Sequence, residues 1–410
     1  MSIARRDFLK VVGGASVAGS LAGYGVGARP AAAAVRDFGF ADDHVPMNAA
    51  NLCPMPTRVS EAHARYAADL DRSLATATRR GVEAHKETAR ERVAAMLGVS
   101  ADELAIVRNT SEANNVIVQG MPLVEGDEVV LWDQNHPSNM VAWDVQAERV
   151  GASVRRFPVP VDTGSIDEVV DLFVAAIGDR TKVVTFTHIS NVTGFRTPVA
   201  EICAAIREKK GDVHIHVDGA QTWGAVDINL GAIECDSFSG SAHKWFMGPR
   251  EVGILYVRER HIDDIWPNVV SVPWGGTPDD APAGARKFDA LGQRDDAAIA
   301  SLVEAAAYHE AMTPAGIEAR SAAIAGYLRE SLQDLDVPFV SSANPIFASS
   351  VIILQAPREN ASRMVGQVFE DAGVQTAPVN GLRMSPHVYN SEGHVDRVVA
   401  AVKKNRAMLG

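Results

Sequence analysis

The 410-residue sequence predicts an α/β fold with a mostly parallel sheet, followed by a smaller α+β unit. Three observations lead there. From residue 104 onward, short apolar and β-branched runs alternate with segments of helical period. Polar residues collect where the strand-like runs end. After residue 295 long helical patterns replace the alternation. The chain is 47% hydrophobic and 22% charged, an ordinary globular composition at a length that supports more than one core. A formal net charge of −12 argues against a broad nucleic-acid-binding face.

Residues 1–34 read as a leader rather than fold. Ala4-Arg5-Arg6-Asp7-Phe8-Leu9-Lys10 fits a twin-arginine export motif that lacks only the leading Ser/Thr. An apolar, Gly/Ala-rich stretch runs on to about Ala28, and Ala31–Ala34 offers a small-residue cleavage site. The expectation is passage through the twin-arginine machinery to a periplasmic or other extracytoplasmic home. The three cysteines, Cys53, Cys203 and Cys235, have the spacing of neither a disulfide framework nor a zinc site.

Pro46, Asn48, Asn51, Pro54 and Pro56 make the stretch to residue 56 irregular. Helices are predicted over Val59–Ala77 and Glu83–Leu97, the second stopped by Gly98. Strand runs follow at Leu104–Val107, Glu128–Trp132, Ser153–Val159, Lys182–Thr187 and Val213–Val217. Helices are expected between them: one opening at Asn109, one running to Val150, then Ile166–Ile177 and Pro198–Lys209. Asp236–Ser239 and Val252–Val257 are strands on either side of a polar loop. Beyond them lie helices at Asp295–Met312, Gly316–Leu332, Ala361–Ala372 and Gly393–Leu409, with one strand at Ser349–Leu354.

Ligands of parallel α/β sheets gather at the carboxyl ends of strands, and the chemically capable residues fall there. Lys244 lies in Ser241-Ala242-His243-Lys244 between two strand runs. Burial at such a place lowers an amine's pKa and suits it to imine formation with a carbonyl compound such as pyridoxal 5'-phosphate (PLP). Asp218 ends the run His214-Ile215-His216-Val217; a poorly solvated carboxylate there wants a cationic partner, and a pyridinium nitrogen would serve. A metal set of His214, His216 and Asp218 is the competing reading. Thr110 and Ser111 open a helix, where a phosphate is favoured. His136 can stack on a ring or act as a base, and Asn191 and Gln221 can bond a phenolic oxygen. A serine hydrolase using Ser241 with His136 or His243 and Asp218 lacks a nucleophile elbow and leaves Lys244 unexplained. A non-catalytic binding protein would have no use for Lys244 and Asp218 together.

The motifs RNTSEANN (108–115), NHPSNMVAW (135–143), HISNVTG (188–194), HVDGAQ (216–221) and SGSAHKWFMGP (239–249) resemble those of the class V aminotransferases, a family of fold-type I PLP enzymes. The resemblance implies a fold-type I PLP-transferase with a mostly parallel seven-stranded sheet. It implies a 35–58 segment packing on the small domain, a large PLP-binding domain over 59–310 and a small α+β domain over 311–410. It makes Lys244 the Schiff-base lysine, Asp218 the partner of the pyridine nitrogen and His136 the stacked residue. Asn191 and Gln221 fall near the phenolic oxygen, and Thr110, Ser111, Ser241 and His243 at the phosphate. Thr277, in Trp274-Gly275-Gly276-Thr277, would reach the phosphate of a second subunit, so a homodimer is implied. Arg383, in Arg383-Met384-Ser385-Pro386, resembles the clamp for a substrate carboxylate. Asn48 is expected on the substrate side. Arg294 is expected either to face a second carboxylate or to pair with Asp295 or Asp296. The segment 373–382 holds no cysteine, unlike the cysteine desulfurases, so the resemblance favours the isopenicillin N epimerase-like branch.

Overall fold

The computed structural model describes residues 36–409; the leader expected over residues 1–34 lies outside them. A two-residue strand β1 (Val45–Pro46) precedes helices α1 (Thr57–Arg72) and α2 (Thr76–Leu97). The sheet domain then runs β2 (Leu104–Val107), α3 (Thr110–Gly120), β3 (Glu128–Trp132), α4 (Pro137–Val150), β4 (Ser153–Phe157), α5 (Ile166–Ala176), β5 (Thr181–Thr187), α6 (Val199–Lys209), β6 (His214–Asp218), β7 (Ser237–Ser241), β8 (Gly253–Val257) and the short α7 (Glu259–Ile262). The C-terminal part holds α8 (Asp296–Met312), α9 (Pro314–Leu332), β9 (Ile352–Leu354), α10 (Arg358–Ala372), β10 (Val374–Gln375), β11 (Leu382–Met384) and α11 (Glu392–Lys404).

Seven strands form one sheet in the order β2-β8-β7-β6-β5-β3-β4. β8 is antiparallel to both its neighbours and every other pairing is parallel, so β8 alone runs against the rest. The carboxyl ends of the other six strands therefore share one edge. Side-chain alternation sends the strands into two cores. Val130, Trp132, Ile254 and Tyr256 join the cluster containing Val93, Phe173, Ile202 and Leu302. Val129, Leu131, Leu255 and Val257 join the opposite one, with Val116, Ile117 and Trp143. Helices cover both faces, which is why the strands read as nearly continuous apolar runs.

The C-terminal part has its own core, built from Leu328, Leu332, Ile352, Leu354, Met364, Val368, Leu382, Met384 and Val398. The N-terminal segment enters it: β1 pairs with β10, and Val45 and Met47 are buried there. A fourth cluster joins the two parts and includes Cys53, Ile189, Trp245, Tyr308, Val351, Val388 and Tyr389.

Two differences from the sequence expectation have local causes. The first helix stops at Arg72, because Ser73 is extended and its N–H closes the last turn on Asp69 and Leu70; the second then begins at Thr76. Gly81 does not interrupt α2: it lies where an added Cβ would meet nothing, so it costs propensity without ending the helix. The last helix ends at Lys404 and a single 3-10 turn, Arg406–Met408, replaces its predicted continuation.

Candidate active site

Each loop at the common sheet edge is built locally before it contributes a side chain. After β2, the Asn109 side chain accepts from the Glu112 N–H at 3.1 Å and starts α3, which places Thr110 at the helix N-terminus. After β3, His136 caps α4: its Nδ1 accepts from the Ser138 N–H at 3.1 Å, and Pro137 is the first helical residue. Asn135 stitches this loop to β5 by donating to the Thr185 carbonyl and accepting from the Thr187 N–H.

β6 ends at Asp218, which is 1% exposed. Its Oδ2 accepts from Asn114 Nδ2 at 2.9 Å and its Oδ1 from the Ala220 N–H at 3.0 Å. The next residue must be glycine for a packing reason: a Cβ on Gly219 would lie 1.9 Å from the ring of fully buried Phe238. Gly219→Ala is expected to displace Phe238 and cost about 1–3 kcal/mol, as overpacking does. A melting temperature equal to that of wild type would show that the ring yields freely.

After β7, residues 242–248 form a tight loop closed by the Gly248 N–H on the Ala242 carbonyl at 2.7 Å. Within it the Met247 N–H bonds the Lys244 carbonyl, and Met247 adopts a left-handed φ of 51°. Trp245 is clamped on both sides. Its indole N–H donates to Gln221 Oε1 at 2.7 Å, and its carbonyl meets His387 Nε2 at 2.8 Å. The Cys53 N–H bonds the His243 carbonyl. Lys244 is thus held from both parts of the chain.

Burial pushes the Lys244 amine down to about 8; Arg383 adds to the shift and Asp218 opposes it. Burial likewise lowers His136, with Lys244 and Arg383 pushing the same way against the pull of Asp218. His243 is held at about 4 by burial and by Lys244 and Arg250 beside it. These mutual influences place Lys244, Asp218, His136 and Arg383 in one electrostatic neighbourhood. The Lys244 shift has a consequence for the apoprotein. Its folded value of about 8 lies below the ordinary 10.5, so between them the unfolded chain holds a proton that the folded one has shed. This group's share of stability therefore rises with pH across that window and is unfavourable below it. Apo Lys244→Met is expected to melt higher than the wild-type apoprotein at pH 7, with the gap closing towards pH 10.5. A gap that does not change with pH would mean the amine is not desolvated.

Arg383, on β11, is 4% exposed. It donates from Nη1 to the Asn191 carbonyl at 3.2 Å and from Nη2 to Asn48 Oδ1 at 3.1 Å, while its Nε has no partner. Among the described residues no carboxylate lies within ion-pair distance of it. Burial without an anion holds its guanidinium down at about 10.

The remaining predicted residues are distributed more unevenly. Ser241 Oγ lies 2.8 Å from both the N–H and the hydroxyl of Thr110, so two of the expected phosphate contacts adjoin each other. No hydrogen bond joins Ser241 to His136 or His243 among the described residues, so the hydrolase arrangement is not assembled. Ser111 is exposed and lines a separate depression with Arg108, Glu112 and Asn268. Gln221 spends both ends of its amide internally, on Trp245 and on the Ala50 carbonyl. Asn191 meets Arg383 through its backbone. Thr277 is exposed and caps a short turn with Asp280. Arg294 pairs with neither Asp295 nor Asp296: it donates to the Ile106 carbonyl, and Asp295 instead caps α8. His214 and His216 do not converge with Asp218 on a common point, because both bond Ser237 Oγ. His214 instead groups with His261 and Asp236, whose carboxylate is already paired with Arg207 and Arg260.

Asn114, His387 and Trp245 are parts of the site that the sequence reading passed over. Asn114 had a legible signal: it lies one helical turn after Thr110, on the same face of α3. His387 and Trp245 had none, since they meet only across the two parts of the chain.

The residues present fit a pyridine aldehyde phosphate. A buried carboxylate with no basic side chain in contact stands beside a buried amine of lowered pKa, and hydroxyls sit at a helix N-terminus. Residues 53–398 match the family Aminotransferase class-V. The chain is 31% identical over 338 residues to the isopenicillin N epimerase of Amycolatopsis lactamdurans, covering 77% of this chain and 84% of that protein. It is also 31% identical over 351 residues to a cysteine desulfurase of Enterobacter sp. (strain 638), covering 79% and 83%. In fold it is similar to a C-DES variant with glycine covalently linked to its PLP cofactor, with a TM-score of 0.82, 22% identity and coverage of 91% of this chain and 99% of that one.

Proposed function

The chain belongs to the class-V aminotransferase family of PLP-dependent enzymes, and we propose that it acts on the α-amino group of an amino acid, or of the amino-acid arm of a secreted peptide metabolite, by epimerisation or transamination. The observation that carries this reading is Arg383: a buried guanidinium with a free Nε and no anion, in the same neighbourhood as Lys244 and Asp218. Such a group calls for a carboxylate that arrives with the substrate.

When bound, PLP supplies an aldehyde carbon and a ring that takes up the electron pair left on Cα. The chain's own groups do the rest. Asp218, fixed by two N–H donors, would be the residue to hold the ring nitrogen and to favour a proton on it. Arg383, oriented by Asn48 and the Asn191 carbonyl, holds the substrate carboxylate and so fixes which bond to Cα stands across the ring. Lys244, with its amine near 8, is neutral in a useful fraction near neutral pH and removes the Cα proton. Thr110 and Ser241 hold the phosphate end. His136, its Nδ1 occupied by Ser138, offers a ring face rather than a base.

Incubation with candidate amino acids in deuterium oxide tests the reading. Deuterium at Cα with inverted configuration and no keto acid supports epimerisation, and a keto acid with the pyridoxamine form of the cofactor supports transamination. Neither outcome with any α-amino acid, in a protein that binds PLP, would defeat it.

A desulfurase reading draws support from the Enterobacter relative. Against it stands the chemistry of Cys53, the cysteine that senses Lys244. Burial pushes its thiol up to about 12, outweighing the opposite pull of Lys244 and of the Tyr389 hydroxyl that donates to its sulfur at 3.3 Å, which leaves a poor nucleophile. Cys203 and Cys235 are buried in the core away from the site. Sulfide release from cysteine is expected not to exceed that of free PLP; release abolished by Cys53→Ser would instead favour the desulfurase.

The proposal extends to a homodimer. Trp266, Val270 and Val272 are exposed in the segment leading to Thr277, and covering them would bring that turn to a second subunit. Sedimentation of wild type against Val272→Asp checks this, a shift towards monomer being expected. Export through the twin-arginine pathway, which rests on Arg5 and Arg6, completes the proposal; Arg5→Lys with Arg6→Lys is expected to retain the protein inside the cell.

A further inference from the structure

Behind Asp218 lies a buried row of hydrogen-bonding side chains whose direction is set at one end. Asp218 Oδ2 accepts from Asn114 Nδ2 at 2.9 Å, which leaves Asn114 Oδ1 as an acceptor. That oxygen takes the Ser239 hydroxyl at 2.6 Å and His216 Nε2 at 3.0 Å. His216 must therefore carry its proton on Nε2, and its Nδ1 accepts the Ser237 hydroxyl at 2.8 Å. The Ser237 oxygen is then free to accept from His214 Nε2 at 2.9 Å. Asn114, His216, Ser237, Ser239 and His214 are all at most 3% exposed, so no water competes for these bonds. Every donor in the row points towards Asp218.

We propose that Asn114 and His216 are positioning residues: with Ser237 and His214 they form a one-directional relay that holds Asp218 as an oriented anion facing the cofactor's ring nitrogen. The relay rests on the PLP reading of the site, and concerns residues that do not touch the ring. Its physical basis is that dipoles aligned in series reinforce one another at low dielectric, and a buried carboxylate in ion-pair contact with no basic side chain among the described residues needs that support. Both histidines are suited to it because burial keeps them neutral at pH 7, His216 at about 3 and His214 at about 4. A charged imidazole would donate from both nitrogens and break the series.

The test compares holoenzyme variants by PLP dissociation constant and by the pH midpoint of the bound cofactor's absorbance. His216→Leu removes the donor to Asn114, and His216→Gln keeps an N–H there. Phe173→Leu trims a fully buried ring of the sheet core that lies outside both the row and the Lys244 loop. We expect His216→Leu to weaken PLP by about tenfold and to shift the midpoint, in line with a lost hydrogen bond that supports a charged group. His216→Gln should recover most of both, and Phe173→Leu should lower the melting temperature with neither change. Imidazole nitrogen NMR of the wild-type holoenzyme should place the His216 proton on Nε2. Equal spectra for the Leu variant and wild type, or a proton on Nδ1, would overturn the relay while leaving the PLP reading intact. A wild-type protein that takes up no PLP would instead overturn that underlying reading.

Discussion

Lys244→Ala is expected to reduce the reaction on amino acids by about 10³-fold or more, since positioned proton transfer alone supplies roughly 10²–10⁴-fold. The protein should still fold. The loop around residue 244 is held by backbone bonds and by the clamp on Trp245, none of which uses the lysine side chain. Removing a desolvated amine also relieves a cost. Borohydride followed by mass measurement checks the assignment: wild type should retain the cofactor's mass covalently, and the variant should not. A variant that still fixes PLP would move the imine to another lysine.

Arg383→Ala is expected to cost roughly 10²–10³-fold in kcat/KM, or about 3–4 kcal/mol, because a buried charged partner of the substrate is lost. Two readouts separate this role from a structural one. The apoprotein should lose little stability, because relief of a buried guanidinium that has no internal anion offsets the donors lost to the Asn48 side chain and the Asn191 carbonyl. Amine substrates without a carboxylate should react equally in wild type and variant. Arg383→Lys should recover part of the loss, since a point charge replaces a planar fork. An unchanged KM and kcat for amino acids would remove Arg383 from the substrate site.

Asn48 shows how far the N-terminal segment belongs to the site. It reaches Arg383 because the segment pairs with the C-terminal strands: β1 lies beside β10, and the Ser385 N–H bonds the Met47 carbonyl. His387 likewise ties the Lys244 loop to α9, through Trp245 on one nitrogen and Ser321 on the other. A relative movement of the two parts would therefore alter both the clamp and the amine together.

The strands, most helices and the placing of Asp218 and Lys244 at or just beyond strand ends were legible because they are written locally. Alternating apolar runs, helix caps such as Asn109 and Gly98, and a charged residue just beyond a buried strand are all short-range signals. β1, β10 and β11 were not legible, since strands of two or three residues exist only by pairing across long separations. The same reason hides the contact of His387 with Trp245 and the internal use of Gln221. Arg294 shows the opposite case, in which neighbouring Asp295 and Asp296 suggested a pair that the fold spent elsewhere. By itself the sequence determined the α/β class and which residue types stand at the strand ends. Only the tertiary structure decided which of them face one another and which are consumed by packing, because a buried polar group takes the nearest partner in space, whatever its distance along the chain.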